Sequence, residues 1–203
     1  MSNLQDTRAR PETRARLVRA AEQLFRVQGY AGTGLKQLTA AAGAPWGSLY
    51  HFFPKGKAEL AAAAAAHAGE IYADGWRRAF EQADDPAEAV WRIFEGEVRV
   101  LEGSDYRNGC PIASMTLDVA SLDEDLRRAC DGAFAQWLAA MSQGFEAHGA
   151  APDAAEALAR FVLAAIEGAI VLARAAKSPA ALKDTGAFVR VVIAREAEGW
   201  TGS

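Results

Sequence analysis

The sequence predicts an all-α protein, and three observations carry that prediction. Apolar residues recur with the 3.6-residue period of a helix over most of the chain, and no segment keeps the period-two alternation of a strand. Side chains that can cap a helix stand three positions before a glutamate near residues 85, 121 and 153. Of the 203 residues, 51% are hydrophobic and 24% are charged, a balance that favours a packed core over disorder.

The first helix is predicted to begin at Pro11 and to end at Gly29, after a polar, flexible tail of residues 1–9. Proline suits the first turn of a helix because its missing N–H has no helical partner there. Five arginines lie largely off the apolar stripe of this helix, where a solvated face and contact with phosphate are equally good interpretations. They are Arg10, Arg14, Arg16, Arg19 and Arg26.

Two short helices joined by a tight turn follow the first one. Leu35, Leu38 and Ala42 recur at i, i+3 and i+7 and so share one helical face. Gly43 suits the left-handed residue that ends a helix, and Pro45 suits the first turn of the next one. This succession is the layout of a helix-turn-helix, whose second helix enters the major groove of DNA.

The second helix of the pair divides its side chains between core and surface. We expect Leu49 and Phe52, three positions apart, to fill the core of a three-helix head. Tyr50 and His51 then point outward, where hydroxyl and imidazole can donate to phosphate oxygens.

The start of this second helix lies nearest the floor of the groove. Ser48 can contact any base edge, and an exposed Trp46 can pack on a thymine methyl or a sugar. A tryptophan that staples the helix to the preceding one is an equally good interpretation. Lys55 and Lys57 follow after a turn at Pro54, at the start of the long fourth helix.

Charge is distributed unevenly along the chain. The formal net charge is -4, yet residues 1–60 hold nine Lys or Arg against four Asp or Glu, and residues 61–203 hold thirteen against twenty-two. A basic N-terminal third is the electrostatic footprint of a DNA-reading head on an acidic body. We therefore expect two domains, a helix-turn-helix DNA-binding head at 1–60 and a helical body at 61–203.

The body is predicted to be helical throughout. Its first helix passes through six consecutive alanines at 61–66 and continues to about Gln82, and any signal to the head has to cross it because it is the only covalent connection. Further helices are expected at 86–102, 110–120, 122–148, 153–178 and 181–198. The predicted caps are Asp85, Ser121 and Asp153.

An ordered set of motifs runs through residues 29–60: Gly29-Tyr30, Thr33, Leu38, Ala42-Gly43, Gly47, Leu49-Tyr50-His51-Phe52, Lys57 and Glu59-Leu60. The set resembles the DNA-binding domain of TetR-family (tetracycline-repressor-like) transcription regulators. Ala44 and Pro45 depart from it, since the family commonly carries a β-branched residue and a serine cap there. The body motifs Asn108-Gly109-Cys110-Pro111-Ile112-Ala113 and Ile166-Glu167-Gly168-Ala169 are similar to the LmrA-like branch, which Gly43-Ala44-Pro45 also suits.

The resemblance implies a homodimer, a double-stranded operator with inverted repeats, and release of DNA when a small molecule enters the body, as in a repressor. It also implies that Lys57 contacts a phosphate. The helix pattern and the resemblance together predict these DNA-binding residues: Thr33, Lys36, Pro45, Trp46, Ser48, Tyr50, His51, Lys55 and Lys57.

The dimer is expected on the last two helices, whose apolar residues exceed what one monomer can cover. The predicted contact residues are Phe161, Val162, Ala165, Gly168, Ala169 and Val189. Arg160, Glu167 and Arg174 recur every seven residues, so an antiparallel pairing could set Glu167 against a partner arginine. Three solvated charges are at least as good an interpretation.

The effector is expected to be small, apolar or aromatic. Most aromatic side chains of the body are core, yet bundles filled so heavily with aromatics and methionine often enclose an apolar cavity. We expect a pocket between the helices at 86–102, 110–120 and 122–148. The predicted effector-binding residues are Trp76, Phe80, Trp91, Phe94, Met115, Trp137, Met141 and Phe145.

Several other function classes find no support. There is no Gly-x-Ser-x-Gly and no phosphate-binding glycine loop, and the three histidines show no metal-ligand spacing, so we expect neither an enzyme, nor a cofactor, nor a metal site. The most apolar run, 161–173, is too short to span a membrane. The two cysteines make no disulfide framework, which favours a reducing cytoplasm, and we expect Cys110 to be an inert small apolar residue.

The alternative function is a helical small-molecule-binding or interaction protein without specific DNA binding. Specific, salt-sensitive binding to duplex DNA separates the two, because a plain binding module predicts none.

Overall fold

The computed structural model describes residues 3–119 and 123–200, and for residues 3–11 the backbone alone. These ranges contain α-helices and no strand, so the all-α prediction is confirmed. The helices are α1 (Asn3–Gln28), α2 (Leu35–Ala41), α3 (Trp46–Phe52), α4 (Lys57–Glu81), α5 (Pro86–Gly103), α6 (Pro111–Val119), α7 (Glu124–Ala147), α8 (Pro152–Ala176) and α9 (Ala180–Glu198).

The start of α1 differs from the predicted one. The helix begins at Asn3 instead of Pro11, so residues 3–9, which were expected in a flexible tail, are helical; residues 1 and 2 lie outside the described residues. Pro11 removes one backbone donor from the helix, which disfavours it. The residues before Pro11 include leucine, glutamine, alanine and arginine, which favour a helix, and the helix continues through them.

The three predicted caps have different outcomes. Asp85 caps α5 as expected, since its Oδ1 accepts the N–H of Glu88 at 2.8 Å. For α7, the predicted cap Ser121 lies outside the described residues, and Asp123 accepts the N–H of Leu126 at 2.9 Å.

The third predicted cap, Asp153, is wrong. α8 begins one residue earlier, at Pro152, with Ala151 as its N-cap and no capping side chain. Proline fits the first helical position because no partner awaits its missing N–H, and this places Asp153 inside the first turn.

By its internal contacts the chain divides into two compact units. The N-terminal unit contains the described residues through Ala68 together with those of 111–133, and the C-terminal unit contains 69–110 and the described residues from Phe134 onward. The helix-turn-helix region therefore shares its unit with α6, a helix from the middle of the chain.

In the N-terminal unit, α1 packs against α2, α3 and α6. Its core contains fully buried side chains of α1, Leu17 and Phe25, together with Leu38 of α2 and Leu49 of α3. A short contact of 2.8 Å between the His67 ring and the Glu22 carboxylate joins α4 to α1.

In the C-terminal unit, α9 packs against both α5 and α8. Arg190 of α9 pairs with Glu88 at 3.0 Å, while Gly186 lies against Phe94, so α5 and α9 run antiparallel. A Cβ at Gly186 would lie 2.9 Å from the Phe94 side chain, which shows that glycine allows this close approach.

An aromatic cluster is a second part of this core. The ring of Trp137 lies 5.0 Å from that of Tyr72 and 5.2 Å from that of Trp76. Its indole N–H donates to the carbonyl of Gly69 at 3.1 Å, so this fully buried tryptophan has its polar atom satisfied.

Candidate nucleic-acid interface

The turn between α2 and α3 folds around one left-handed residue. Gly43 has φ +56°, and its N–H donates to the carbonyl of Ala40 at 3.1 Å. The N–H of Ala44 then reaches back to the carbonyl of Thr39 at 3.0 Å, and α3 begins directly after Pro45. Two short helices joined this way and resting on α1 form a helix-turn-helix.

α3 has one buried face and one open face. Leu49 is 1% exposed, whereas Trp46 and Tyr50 are 48% and 47% exposed and their rings meet edge to face, 6.2 Å apart. His51 is also exposed, and Ser48 is partly buried. Trp46 therefore pairs with a residue of its own helix and stays half open, and its contact with DNA stays a prediction.

The core aromatic of α3 is not the predicted one. Phe53 is 1% exposed, while Phe52 is only partly buried, with its ring 4.8 Å from that of His51. The helix ends at Phe52, and the backbone at Phe53 takes a non-helical φ of -135°, which turns the next side chain inward. The guanidinium of Arg14 lies over the Phe53 ring, 5.2 Å from its centroid.

Thr33, predicted to contact DNA, is turned inward. It is 1% exposed, and its hydroxyl donates to the carbonyl of Gly29 at 2.7 Å while accepting from the Gln28 amide at 3.1 Å. Its backbone N–H donates to the carbonyl of Tyr30 at 3.2 Å. These bonds hold the loop between α1 and α2, and the side chain is closed to solvent, so the prediction is corrected: Thr33 is structural.

The three lysines predicted to bind DNA differ in their exposure and in their contacts. Lys36 and Lys55 are exposed, and the 4.0 Å approach of Lys55 to Asp125 joins two largely solvated side chains, a kind of pair that contributes little. Lys57 is partly buried, with its ammonium 4.1 Å above the ring centroid of Tyr30. Burial lowers the pKa of Lys57, and the carboxylate of Asp118 opposes that shift.

Among the arginines of α1, Arg14 and Arg19 are exposed, and Arg16 is partly buried and donates to the hydroxyl of Thr13 at 3.2 Å. The side chain of Arg10 lies outside the described residues.

Asp118 of α6 is the residue that the sequence did not reveal. Its Oδ2 accepts the N–H of Ala31 at 2.9 Å. The neighbouring Gly29 has φ +75°, and a Cβ there would lie 2.7 Å from the same oxygen. This contact fixes the loop that leads into the helix-turn-helix. Eighty-seven residues separate the two partners, and only the left-handed glycine could have pointed to a close approach.

The residues predicted to form the dimer split between surface and core. Phe161 is 44% exposed, and Ala165 and Gly168 lie at least partly on the surface. The other three, Val162, Ala169 and Val189, are 0%, 2% and 3% exposed and are therefore core residues of their own unit.

The phase of the helix explains this correction. Positions 161, 165, 168 and 172 share one face of α8, and positions 162, 166, 169 and 173 form the adjacent buried one. We call one row of surface residues on each of α8 and α9 the body stripes; they are Phe161, Ala165, Gly168 and Leu172 on α8, with Phe188 and Val192 on α9. Val171 and Val191 are also exposed and are not counted among them.

The three charges spaced by seven residues are engaged within the chain. Glu167 is partly buried, and its carboxyl forms a hydrogen bond with Cys110. Burial raises the pKa of Glu167 to about 6, although that hydrogen bond acts in the other direction. Arg174 donates to the carbonyl of Arg107 at 3.1 Å, and Arg160 pairs with Glu156 at 3.2 Å. One interpretation of the sequence paired Glu167 with an arginine of a partner subunit. In the structure its carboxyl is instead engaged within its own chain.

The structure separates the predicted effector-binding residues into groups. Trp76 and Trp137 belong to the aromatic cluster, and the rings of Phe80 and Phe145 lie 5.0 Å apart. The remaining four are placed as follows: Trp91 and Phe94 line a cavity between α5 and α9, Met141 is buried in α7, and Met115 is buried in α6 of the N-terminal unit. The pocket expected between the helices at 86–102, 110–120 and 122–148 stays a prediction.

Comparison with known proteins identifies the fold's relatives. A family profile described as "Bacterial regulatory proteins, tetR family" matches residues 17–64. A second, "Transcriptional regulator LmrA/YxaF-like, C-terminal domain", matches residues 86–187. The chain belongs to the TetR family.

Individual relatives agree with the profiles. The HTH-type transcriptional regulator YxaF of Bacillus subtilis is 33% identical, over 81% of this chain and 86% of its own. The HTH-type transcriptional regulator LmrA of the same organism is 32% identical, over 82% and 89%. The crystal structure of regulatory protein TetR from Rhodobacter sphaeroides aligns with a TM-score of 0.77 at 25% identity, covering 87% of this chain and 96% of that one.

Membership of the TetR family settles the general function. The chain is a DNA-binding transcriptional regulator and not an enzyme, and its family binds DNA and acts as dimers. The alternative of a helical binding protein without specific DNA binding is thereby set aside. None of the described helices has the length and apolar character that a membrane crossing requires.

Proposed function

We propose that this TetR-family regulator is a repressor that binds an inverted-repeat operator as a homodimer and leaves it when a small apolar or aromatic effector binds to its body. One observation carries the DNA part: α3 buries Leu49 and presents Trp46, Tyr50 and His51 on a single open face. Repression rather than activation rests on the family resemblance. A regulator of this kind works in the cytoplasm.

The roles of the open face follow from its chemistry. The hydroxyl of Tyr50 and the imidazole of His51 donate to phosphate oxygens, which fixes the position of the head on the duplex. Ser48 and Trp46, at the start of α3, contact base edges and so influence sequence preference. The other proposed DNA-binding residues are Pro45 and the lysines Lys36, Lys55 and Lys57; Thr33 is left out because it is buried.

Lys57 needs a rearrangement to act in this way. Its ammonium lies over the Tyr30 ring, an interaction worth about 0.5–2 kcal/mol by the usual range for cation–π contacts. A phosphate within reach of the long side chain offers a full negative charge, so we expect Lys57 to turn from the ring to the phosphate on binding.

The body stripes are the proposed dimer contact. Leu172 and Phe188 are 62% and 76% exposed, and a large exposed apolar area marks an interaction surface. Glycine and alanine between the large residues of α8 allow a partner helix to approach closely. Two heads held by such a dimer must match half-sites about 34–36 Å apart, one turn of duplex, or a multiple of it.

The effector is proposed to act by selecting one shape of the dimer. A ligand can release DNA only if it binds more tightly to a state whose heads no longer fit the operator. The aromatic side chains of the body, with Trp76 and Trp137 as their centre, provide apolar surface for such a molecule. α4 connects the head to this region, so we propose that it carries the change.

Selection from random duplex DNA tests the proposal directly. The full-length protein should enrich an inverted repeat whose two halves are centred one or two helical turns apart, and Trp46→Ala should change the enriched half-site. A panel of apolar compounds should then include one that lowers affinity for that repeat. Enrichment of single half-sites, or of no sequence at all, contradicts the proposed mode of binding.

A further inference from the structure

We propose that the cavity between α5 and α9 is a binding site for a small hydrophobic carboxylate. The cavity has a volume of about 250 Å³. Its walls are Trp91, Phe94, Val98 and Leu182, and its charged residues are Glu95, Arg99 and Lys183. All of them belong to the C-terminal unit, so the site is complete within one compact part of the chain.

The register of the two helices accounts for the cavity. At one end, Glu88 and Arg190 form an ion pair of 3.0 Å, and the Arg190 guanidinium lies 5.8 Å from the Trp91 ring centroid. Glu95 follows Glu88 by seven residues, and Lys183 precedes Arg190 by seven residues. In this antiparallel register the two are therefore the equivalent pair. They form no ion pair; both line the cavity instead.

The charges around the cavity favour an anion. In the described part of the chain, Arg99 and Lys183 form neither an ion pair nor a side-chain hydrogen bond, so two cations face one carboxylate, that of Glu95. Lys183 also lies in the first turn of α9, and that turn contains no acidic residue. The positive end of the helix dipole therefore adds to the positive field of the two cations. An anionic group on the ligand neutralises this excess.

The walls favour an aromatic or short aliphatic ligand. An apolar cavity of about 150 Å³ is enough to hold benzene, so one of about 250 Å³ accepts a single ring with a short acidic arm. Trp91 and Phe94 offer ring faces and edges to such a molecule, and Val98 and Leu182 complete an apolar floor. Phenylacetate has this size and charge and serves as the probe.

The binding itself does not depend on the proposed repressor function. Only a second question, whether occupancy changes affinity for the operator, rests on that proposal. Direct titration without DNA and operator titration with DNA therefore distinguish failure of the site from failure of the function.

The test is a titration of the full chain with phenylacetate, followed by the indole N–H signals of its five tryptophans in a nitrogen-15 correlation spectrum. The Trp91 signal is assigned with Trp91→Phe. We expect the Trp91 signal to shift with saturation. Phenylacetamide and phenethylamine have the same ring without the negative charge, and we expect them to bind at least about fivefold more weakly than phenylacetate. Saturation that moves only other indole signals, or equal binding of acid and amide, overturns the proposal.

Charge variants test the recognition of the carboxylate. Arg99→Gln combined with Lys183→Gln should bring the affinity for phenylacetate down to that for the amide, and Glu95→Gln should raise it about twofold. The matched control is Arg78→Gln with Arg195→Gln, which removes the same charge from exposed positions outside the cavity. A loss in the control as large as in the cavity variant shows a general charge effect and contradicts the site.

Discussion

Both units expose large apolar side chains, but the residues beside those side chains differ in type. On α3, Trp46 and Tyr50 stand one turn apart beside Ser48 and His51, whose polar atoms can donate hydrogen bonds. On α8 and α9, the exposed Phe161, Leu172 and Phe188 are accompanied by alanine, glycine and valine.

The difference separates two kinds of recognition. A phosphate backbone is bound by donors and cations, and the apolar area beside them serves bases and sugars. A second copy of a helix is bound by apolar area and close packing, with charged residues depleted at the centre. Exposure alone therefore does not identify a partner, and the neighbours of the exposed residue decide between DNA and protein.

The largest effect is expected from breaking the body stripes. Leu172→Asp with Phe188→Asp should yield a monomer in sedimentation and lower operator affinity at least about a hundredfold, since the second head no longer binds as part of the same molecule. Leu117→Asp with Ile71→Asp changes two apolar residues that are also exposed, at 85% and 49%, but lie outside the stripes. This control should stay dimeric. A dimeric stripe variant places the contact elsewhere.

A smaller effect is expected on the recognition face. Tyr50→Ala should lower affinity about tenfold on all DNA sequences, because it removes a phosphate contact, and the dimer should persist. Tyr50→Phe keeps the ring and removes the hydroxyl alone. Filter binding with specific and random duplexes measures both. If Tyr50→Phe binds like the natural protein, its hydroxyl touches no phosphate.

A partly buried carboxyl makes the C-terminal unit sensitive to pH. The pKa of Glu167 is about 6 in the folded chain against an ordinary 4.5, because burial disfavours the charged form. The folded state therefore holds this proton more tightly, and the free energy of unfolding falls as the pH rises from about 4.5 to about 6. The total loss from this group is at most about 2 kcal/mol.

Glu167→Gln should remove that fall, so that the variant exceeds the natural chain in stability at pH 7 and matches it near pH 4. Urea unfolding across this range measures it. Glu156→Gln, an exposed carboxylate on the same helix, is the control and should keep the fall. An unchanged pH profile in Glu167→Gln assigns the proton to another group.

The smallest effect concerns the contact that joins α6 to the head within the N-terminal unit. Asp118→Ala leaves the Ala31 N–H without its 2.9 Å acceptor and should cost about 1 kcal/mol of stability. Asp118→Asn retains an acceptor and should cost less. Thermal unfolding compares the two, and equal losses would show that the charge near Lys57, and not the hydrogen bond, matters.

Much of this architecture could be read from the chain itself. Apolar periodicity predicted the helices, and the Asp85 cap predicted the start of α5, because those signals act within a few residues. Gly43 marked the turn because few other residues accept φ +56°. The open face of α3 followed from helical spacing, which placed Tyr50 and His51 outside. The family motifs then added what the spacing cannot carry, namely dimerisation and the LmrA-like body.

The errors have a common physical origin. Phe53 replaced Phe52 in the core because the helix ended between them, and helix ends are set by tertiary packing. Val162 and Val189 were placed on the surface although they are buried, since two apolar stripes on one helix differ by a phase of about a quarter turn. The role of Asp118 was not predicted, because its partner Ala31 is distant in sequence.

The central claim is that the open face of α3, carried by a dimer, binds operator DNA through phosphate contacts. The most direct test is the affinity of the full chain for its selected inverted repeat as a function of salt concentration. With about six or more phosphates contacted by the two heads, affinity should fall about a thousandfold between about 50 and 200 mM salt. Tight binding that is unchanged over this range would contradict the account.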